Sequence, residues 1–299
     1  MSQILPYKDD YYLWNYVPSI PGSVVFIVLF GIAMVATGWR CFRYRAWFHI
    51  PLVLGCEAEV IGYIAYILAH NNTNKLSPYL MQSVCLLVAP PLISATLYMM
   101  LARLTRALPS GEECSLVRTK WLTKGFILLD VEAFVIVAAG GGMMISPKRK
   151  AMGQIVIISG LIMQIVCFVS FVIACAIFHV RYARLSGGGS DRARRANDSG
   201  IPWRKLLYML YATSFIISVR SVYRTAEFIQ GHEGYNLTHQ WTLFVFDAAL
   251  MFLSVVVFYV MYHPKDMSKG YQDVCVEGGT VNSMEMAPTT IEEVPLRHK

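Results

Sequence analysis

The sequence predicts an all-α polytopic membrane protein: a bundle of seven transmembrane helices with the N-terminus outside and the C-terminal tail in the cytoplasm. Three observations carry that prediction. The 299 residues are 56% hydrophobic and only 15% charged, against about 25% charged in an ordinary soluble domain, and the mean hydropathy is +0.47. Seven apolar runs are each close to the roughly 20 residues that an α-helix needs to cross about 30 Å of hydrocarbon. The Lys and Arg residues gather between those runs rather than over one face.

The runs are Val24 to Trp39, Trp47 to Ala69, Tyr79 to Ala102, Leu122 to Ile145, Gln154 to Phe178, Leu206 to Ile229 and Trp241 to Tyr262. They are apolar all round, whereas the helices of a soluble bundle keep one polar face. Strand alternation, the mark of a membrane barrel, is missing from them. The first run is the shortest, and Ile20 and Gly22 extend it outward.

Charge sets the orientation. Nineteen Lys and Arg residues lie in or at the edge of the segments after spans one, three and five and in the tail, and five lie in the N-terminus and the segments after spans two, four and six. The positive-inside bias puts the richer set in the cytoplasm. The sequons at Asn71 and Asn236 then both fall outside, as glycosylation sites must.

Three regions follow: residues 1–22 as an extracellular segment, 23–264 as the membrane domain and 265–299 as a polar, disordered cytoplasmic tail. Met1 to Asp10 lack a basic stretch ahead of a short apolar core, so no cleavable signal peptide is expected and the first span serves for targeting. Ser186 to Gly200, with three consecutive glycines and Arg192, Arg194 and Arg195, reads as a flexible linker; the glycines lack the Lys-Ser/Thr of a phosphate loop.

Several function classes drop out. The charge of +7 lacks the basic and aromatic interleaving of a nucleic-acid surface. The seven Cys residues form neither a disulfide framework nor a metal-ligand spacing. His49 stands at the inner edge of span two without a nucleophile or metal triad beside it. No enzyme activity and no cofactor are expected.

Polar groups inside the spans carry most of the functional information, because a charge at membrane depth costs about 2.5 to 3.5 kcal/mol and usually faces the protein interior. Span six holds Arg220, Arg224, Glu227 and Gly231 on one helical stripe. Arg220 lies about 21 Å from the inner edge and Asp247 of span seven about 9 Å from the outer edge, so the two match in depth and predict an ion pair. In span two, Glu57 and Glu59 point about 200° apart; Glu59 is the interior choice because Gly62, Tyr63 and Tyr66 continue its stripe. Asp130 is preferred over Glu132 in span four on a narrower margin. Six acids against two arginines leave carboxyls in excess.

Gln82 and Gln164 add interior amides that serve either as interhelical glue or as substrate ligands. The charged groups likewise either lock the bundle or line a transport path. Pro90-Pro91 interrupts the backbone bonding of span three, and Gly140, Gly141 and Gly142 loosen the outer end of span four; each is a hinge or a static kink.

The order and spacing of these residues resemble one known family. The pattern comprises Glu59-x-x-Gly62-Tyr63, Tyr79-x-x-Gln82 with Ala89-Pro90, Ala95, Tyr98 and Arg103, and Gly160-Leu161-x-x-Gln164. It continues with Arg220-x-x-Tyr223-Arg224-x-x-Glu227 and then Phe246-Asp247, Met251 and His263-Pro264. From Tyr16-Val17-Pro18-Ser19 to Pro264 the chain resembles the fungal lipid-translocating exporters, seven-span proteins that include sphingoid long-chain-base exporters and aminocholesterol-resistance proteins. It departs from their pattern at Tyr66, Val137, Gln240 and Phe244, where the family usually has Arg, Gln, Glu and Tyr.

The resemblance implies export of amphipathic lipids or lipid-like toxic compounds, among them sphingoid bases, sterol-like molecules and phospholipids, with resistance as the outcome. It further implies a plasma-membrane or endomembrane location, membrane lipids or amphipathic small molecules as partners, and no ATP hydrolysis. A seven-span receptor or lipid-stress sensor is the alternative.

Overall fold

The computed structural model of the chain describes residues 19–70, 76–115, 119–144, 149–188, 201–230 and 240–263. Seven helices among them are long and apolar enough to span a membrane. They are α1 (Ile20–Arg43), α2 (Ile50–His70), α3 (Leu76–Ala107), α4 (Thr119–Met144), α5 (Lys150–Ser186), α6 (Trp203–Gln230) and α7 (Gln240–Met261). The sequons, the glycine-rich linker beyond residue 188, Gly231 and the tail lie outside the described residues.

Helix α1 begins at Ile20 with Pro21 in its first turn, where a missing N–H is harmless. It takes in Ile20 and Gly22, the outward extension of the first apolar run that the sequence suggests. Only Ser23, Phe30, Thr37 and Cys41 of this helix are buried, a thin stripe flanked by Phe26, Ile27, Ala33 and Met34, which are half-buried against the core. Its far end is tied to α7: the Arg40 guanidinium donates to the carbonyls of Tyr259 and Tyr262 and lies 3.5 Å from the centroid of the Tyr259 ring. A basic group at the carbonyl end of a helix is placed where the backbone dipole favours it.

Helix α3 occupies the middle of the bundle, packed on α2, α4 and α6. Pro90 and Pro91 lie inside it, and the helix runs on through them. The hydroxyl of Ser94 donates to the Pro90 carbonyl at 2.6 Å, which gives that disturbed turn an extra bond.

The most intimate contact is between α4 and α5. A Cβ added at Gly140 would stand 2.8 Å from the Gly153 carbonyl oxygen, and one at Gly160 would stand 2.7 Å from Val137. Small residues let these two backbones touch, the usual device where lipid supplies no hydrophobic drive between helices. The expectation that Gly140 loosens span four is thus corrected: α4 stays helical to Met144, and Gly140 is a contact surface. Val137, one of the departures from the family pattern, is buried in this seam.

Two further boundaries differ from the sequence reading. Helix α5 has 37 residues and continues two turns past Phe178, because Phe178 and Tyr182 are fully buried and stacked at 5.7 Å, holding the extension on the core. Span two opens with a separate turn, Trp47–His49, before α2 begins.

Helix α7 changes its winding. Phe244–Ala249 form a π-helical segment between two α-helical stretches, and it contains Asp247. Such widened turns occur mostly as single-turn bulges inside α-helices, frequently at functional sites.

Candidate functional site: a buried ionic cluster between helices α2, α3, α6 and α7

The charged stripe of α6 faces inward. Arg220, Arg224 and Glu227 are all buried, as the spacing i, i+4, i+7 requires when one face of the helix meets the core. Arg224 pairs with Glu227 on its own helix at 2.7 Å. Arg220 reaches across to α7, its Nε 2.6 Å from Oδ1 of Asp247. Both members of this second pair are almost fully enclosed, with side-chain exposures of 4% and 1%.

Arg220 also anchors a third helix. Its Nη2 donates to the carbonyl oxygen of Leu86 on α3 at 3.1 Å. The planar guanidinium, with donors in a fixed fork, is suited to serve two acceptors at once.

Glu59 of α2 completes the cluster. It is 1% exposed, and neither carboxyl oxygen has a hydrogen-bond partner among the described residues. Its charged neighbours are Asp247, Arg220 and Arg224. Tyr63, one turn along α2, is fully buried with its hydroxyl equally without a partner, and it neighbours Glu59, Asp247 and Arg220. The cluster therefore holds three carboxyls, Glu59, Glu227 and Asp247, against two guanidiniums. In a water-poor interior the surplus carboxyl must be matched by a proton or by a cation brought in from outside the chain.

An aromatic layer covers the cluster on the side of α1. Phe26 of α1 stacks on Tyr63 at 5.7 Å and on Phe244 of α7 at 5.6 Å. Next to it Gln240 donates through Nε2 to the Tyr66 hydroxyl at 2.6 Å, and the Tyr66 and Phe244 rings meet edge to face. Tyr66, one of the four departures from the family pattern, thus touches two of the others, Gln240 and Phe244. In this chain Tyr66 and Gln240 form a neutral hydrogen-bonded pair beside the Phe244 ring.

The remaining predicted residues lie apart from this centre. Asp130 is buried, yet its partner is the Tyr98 hydroxyl, which donates to Oδ2 at 2.8 Å; Ser94 and Cys167 are close by, and Oδ1 has no partner among the described residues. This is a second, smaller polar centre among α3, α4 and α5. Gln82 is buried on α3, and its carbonyl oxygen has no partner among the described residues. Gln164 is only half-buried on α5 and makes no hydrogen bond with a described residue. Glu57 and Glu132 face outward.

Sequence reasoning missed three features. The Tyr98–Asp130 bond was foreshadowed by Pro90, Ser94 and Tyr98 at four-residue spacing on one face of α3. The Arg220–Leu86 bond was foreshadowed by Pro90, which lacks the N–H that would otherwise serve that carbonyl. The Tyr66–Gln240 pair had no signal in the sequence beyond the shared departure. Among the described residues, no group of three His, Cys, Asp or Glu side chains is placed to hold a metal ion.

Comparison with known proteins places this arrangement in a family. The profile described as RTA1 like protein matches residues 52–270. The chain is 36% identical over 211 residues to Protein RTM1 of Saccharomyces cerevisiae, covering 71% of this chain and 66% of that protein. It is 30% identical over 280 residues to Protein RTA1 of the same yeast, covering 85% and 86%. Protoporphyrin uptake protein 1 is 36% identical over 71% of this chain and 67% of its own length, and Sphingoid long-chain base transporter RSB1 is 24% identical over 85% and 74%, both from S. cerevisiae. No solved structure matches the chain. Its seven spans and the match over most of its length establish that the chain is a multi-pass membrane protein that belongs to the RTA1-like family.

Proposed function

We propose that this protein transports amphipathic lipids or lipid-like compounds across the bilayer, acting as an exporter of molecules such as sphingoid bases, sterol-like compounds or phospholipids and so conferring resistance to them. Membership of the RTA1-like family, with relatives named as a sphingoid long-chain base transporter and a protoporphyrin uptake protein, supports membrane transport of lipid-like compounds in general. The finer reading, with export from the cytoplasmic leaflet at the plasma membrane and no catalytic step, is our own.

The observation that carries it is Glu59. A carboxyl that is buried at mid-bundle, unbonded at both oxygens and flanked by two ion pairs is an expensive arrangement that a purely structural role does not require. It supports a site where the polar head of an amphipath exchanges with internal partners while the tail stays in lipid. Helix α1, held by a thin stripe, and the Phe26–Tyr63–Phe244 stack are the elements placed to open between lipid and the cluster.

The test is reconstitution in liposomes with a labelled sphingoid base and a labelled phospholipid, beside Glu59→Gln and Arg224→Ala proteins. Transport in the parent protein and its loss in both variants, with folding retained in Glu59→Gln, is the expected result. Binding without transport in the parent would replace this reading with a lipid sensor.

A further inference from the structure

The buried cluster is one positive charge short, and the pairing shows where. Asp247 is held by Arg220 at 2.6 Å and Glu227 by Arg224 at 2.7 Å, which engages both guanidiniums. Glu59 is the carboxyl left over, with neither oxygen bonded among the described residues. The ionisable groups that face it are Cys56 and Tyr63 on α2, Cys85 on α3, Arg220 and Arg224 on α6 and Asp247 on α7. Helix α1 lays the rings of Phe26 and Phe30 against Tyr63. Glu59 stands at the middle of α2, whereas every other Lys and Arg of the described residues lies within two turns of a helix end or between helices.

Space limits what can balance the charge. Both oxygens of Glu59, both of Asp247 and the Tyr63 hydroxyl are sealed from any water-sized space. No room is left against the carboxyl for a water or a hydrated metal ion, and a proton needs none. An ammonium head brought in as the helices part would supply the same single charge.

A polar track leads away from this carboxyl. Glu59, Tyr63 and Tyr66 share one face of α2 at i, i+4 and i+7. The Tyr66 hydroxyl accepts from Gln240, the first residue of α7, at 2.6 Å. Hydroxyls therefore step from Glu59 toward the end of the bundle where α2 stops and α7 starts.

We propose that Glu59 is an exchange site for one proton and one ammonium head. In the closed cluster Glu59 holds a proton. A cationic amphiphile entering the cluster pairs with the carboxylate, and the displaced proton leaves to water on the side from which the amphiphile came. When the amphiphile departs on the opposite side, a proton from that side restores the neutral acid by way of Tyr66 and Tyr63. One cationic amphiphile thus moves out for each proton that moves in, and no net charge crosses. The coupling rests on the transport reading, whereas the exchange itself is tested by binding.

The probe is an N-trimethylated sphingoid base, a permanent cation that has no titrating proton of its own and that a pH gradient does not trap. Its binding to the full chain in zwitterionic lipid nanodiscs, followed by calorimetry in two buffers of different ionisation enthalpy, should release about one proton per amphiphile near neutral pH. The infrared difference spectrum of the parent should lose a protonated-carboxyl band on the same binding. Glu59→Gln, which removes no hydrogen bond or ion pair between described residues, should fold and release about none, while Glu132→Gln should match the parent. In liposomes an acid interior should speed uptake of the probe by the parent several-fold over equal pH, with the interior turning alkaline. No proton release from the parent, no loss of the carboxyl band, or equal release in Glu59→Gln overturns the exchange site. Uptake that ignores the gradient overturns the coupling and leaves the transport reading standing. Proton release on binding without uptake leaves the exchange site standing and removes the transport reading.

Discussion

Arg220 of α6 takes over a hydrogen bond that Pro90 of α3 cannot make. In a regular helix the N–H of residue 90 would serve the carbonyl of Leu86, and proline has no N–H. That carbonyl instead accepts from Nη2 of Arg220 at 3.1 Å, while Nε of the same guanidinium faces Asp247 at 2.6 Å. One side chain therefore joins α3, α6 and α7, and the proline makes the junction possible.

A double-mutant cycle isolates this link. Lysine offers a single ammonium in place of a planar fork, so Arg220→Lys keeps the charge beside Asp247 and orphans the Leu86 carbonyl. The expected loss is about 1–3 kcal/mol, that of a buried unsatisfied acceptor. In a Pro90→Ala background the new N–H serves Leu86, and the same Arg220→Lys change should cost less than half as much. Thermal or denaturant unfolding in micelles reads both values, and equal losses in the two backgrounds would remove the proline from the account.

The ion pair itself is expected to behave as an enclosed one. Arg220→Met leaves Asp247 buried without its counter-charge and should cost about 3–5 kcal/mol, whereas Arg220→Met with Asp247→Leu should recover at least half of that. Exchange of the two charges, Arg220→Asp with Asp247→Arg, should likewise fold better than either single reversal. Size-exclusion profiles of the fluorescently tagged variants give a direct comparison.

The three consecutive glycines of α4 should separate cleanly. A methyl at Gly140 would press on the Gly153 carbonyl oxygen at 2.8 Å and the Ile157 nitrogen at 2.9 Å, both backbone atoms of α5. Gly140→Ala should therefore destabilise by about 1–3 kcal/mol, the range for an overpacked contact. Gly141 and Gly142 have nothing within 4 Å of the added atom, so alanine there should stabilise α4 by roughly 0.5–1 kcal/mol through helix propensity alone. Melting temperatures of the three single variants in one detergent suffice.

How much of this was legible in the sequence follows from what each feature depends on. The spans depend on apolar length alone, which is local and can be counted, so all seven were readable. Depth matching of Arg220 and Asp247 needs only rise per residue, and the inward choice of Glu59 needs only angle per residue. The junction at Leu86 depends on which neighbour replaces a missing N–H, a question about tertiary contacts that Pro90 raises without answering. The widened turn at Phe244–Ala249 changes the angle per residue just where Asp247 sits, and nothing in FVFDAA signals it. Asp130 was chosen for its position and is indeed buried, but its partnership with Tyr98 on another helix lies beyond any periodicity. Val137 and Gly160 meet across two helices for the same reason.

The aromatic layer over the ionic cluster gives the last prediction. Phe244 packs against both Phe26 and Tyr63, and its ring has room only because residue 22 is glycine: a Cβ there would come within 2.7 Å of the ring edge. Tyr63 directly adjoins Glu59 in the cluster, so the stack is the apolar lid on the side of α1. Phe244→Ala removes one of the three rings and should leave a void rather than an unpaired polar group, for a stability loss of about 3–5 kcal/mol at most. If the layer gates access, Phe244→Ala should speed transport of labelled amphiphile in liposomes several-fold. It should also let a small thiol reagent reach a cysteine placed at Tyr63. Gly22→Val should displace the same ring while keeping its apolar surface, and it should show the same accessibility change with a smaller loss of stability. Faster labelling without faster transport would mean that the stack covers the cluster but does not limit passage through it.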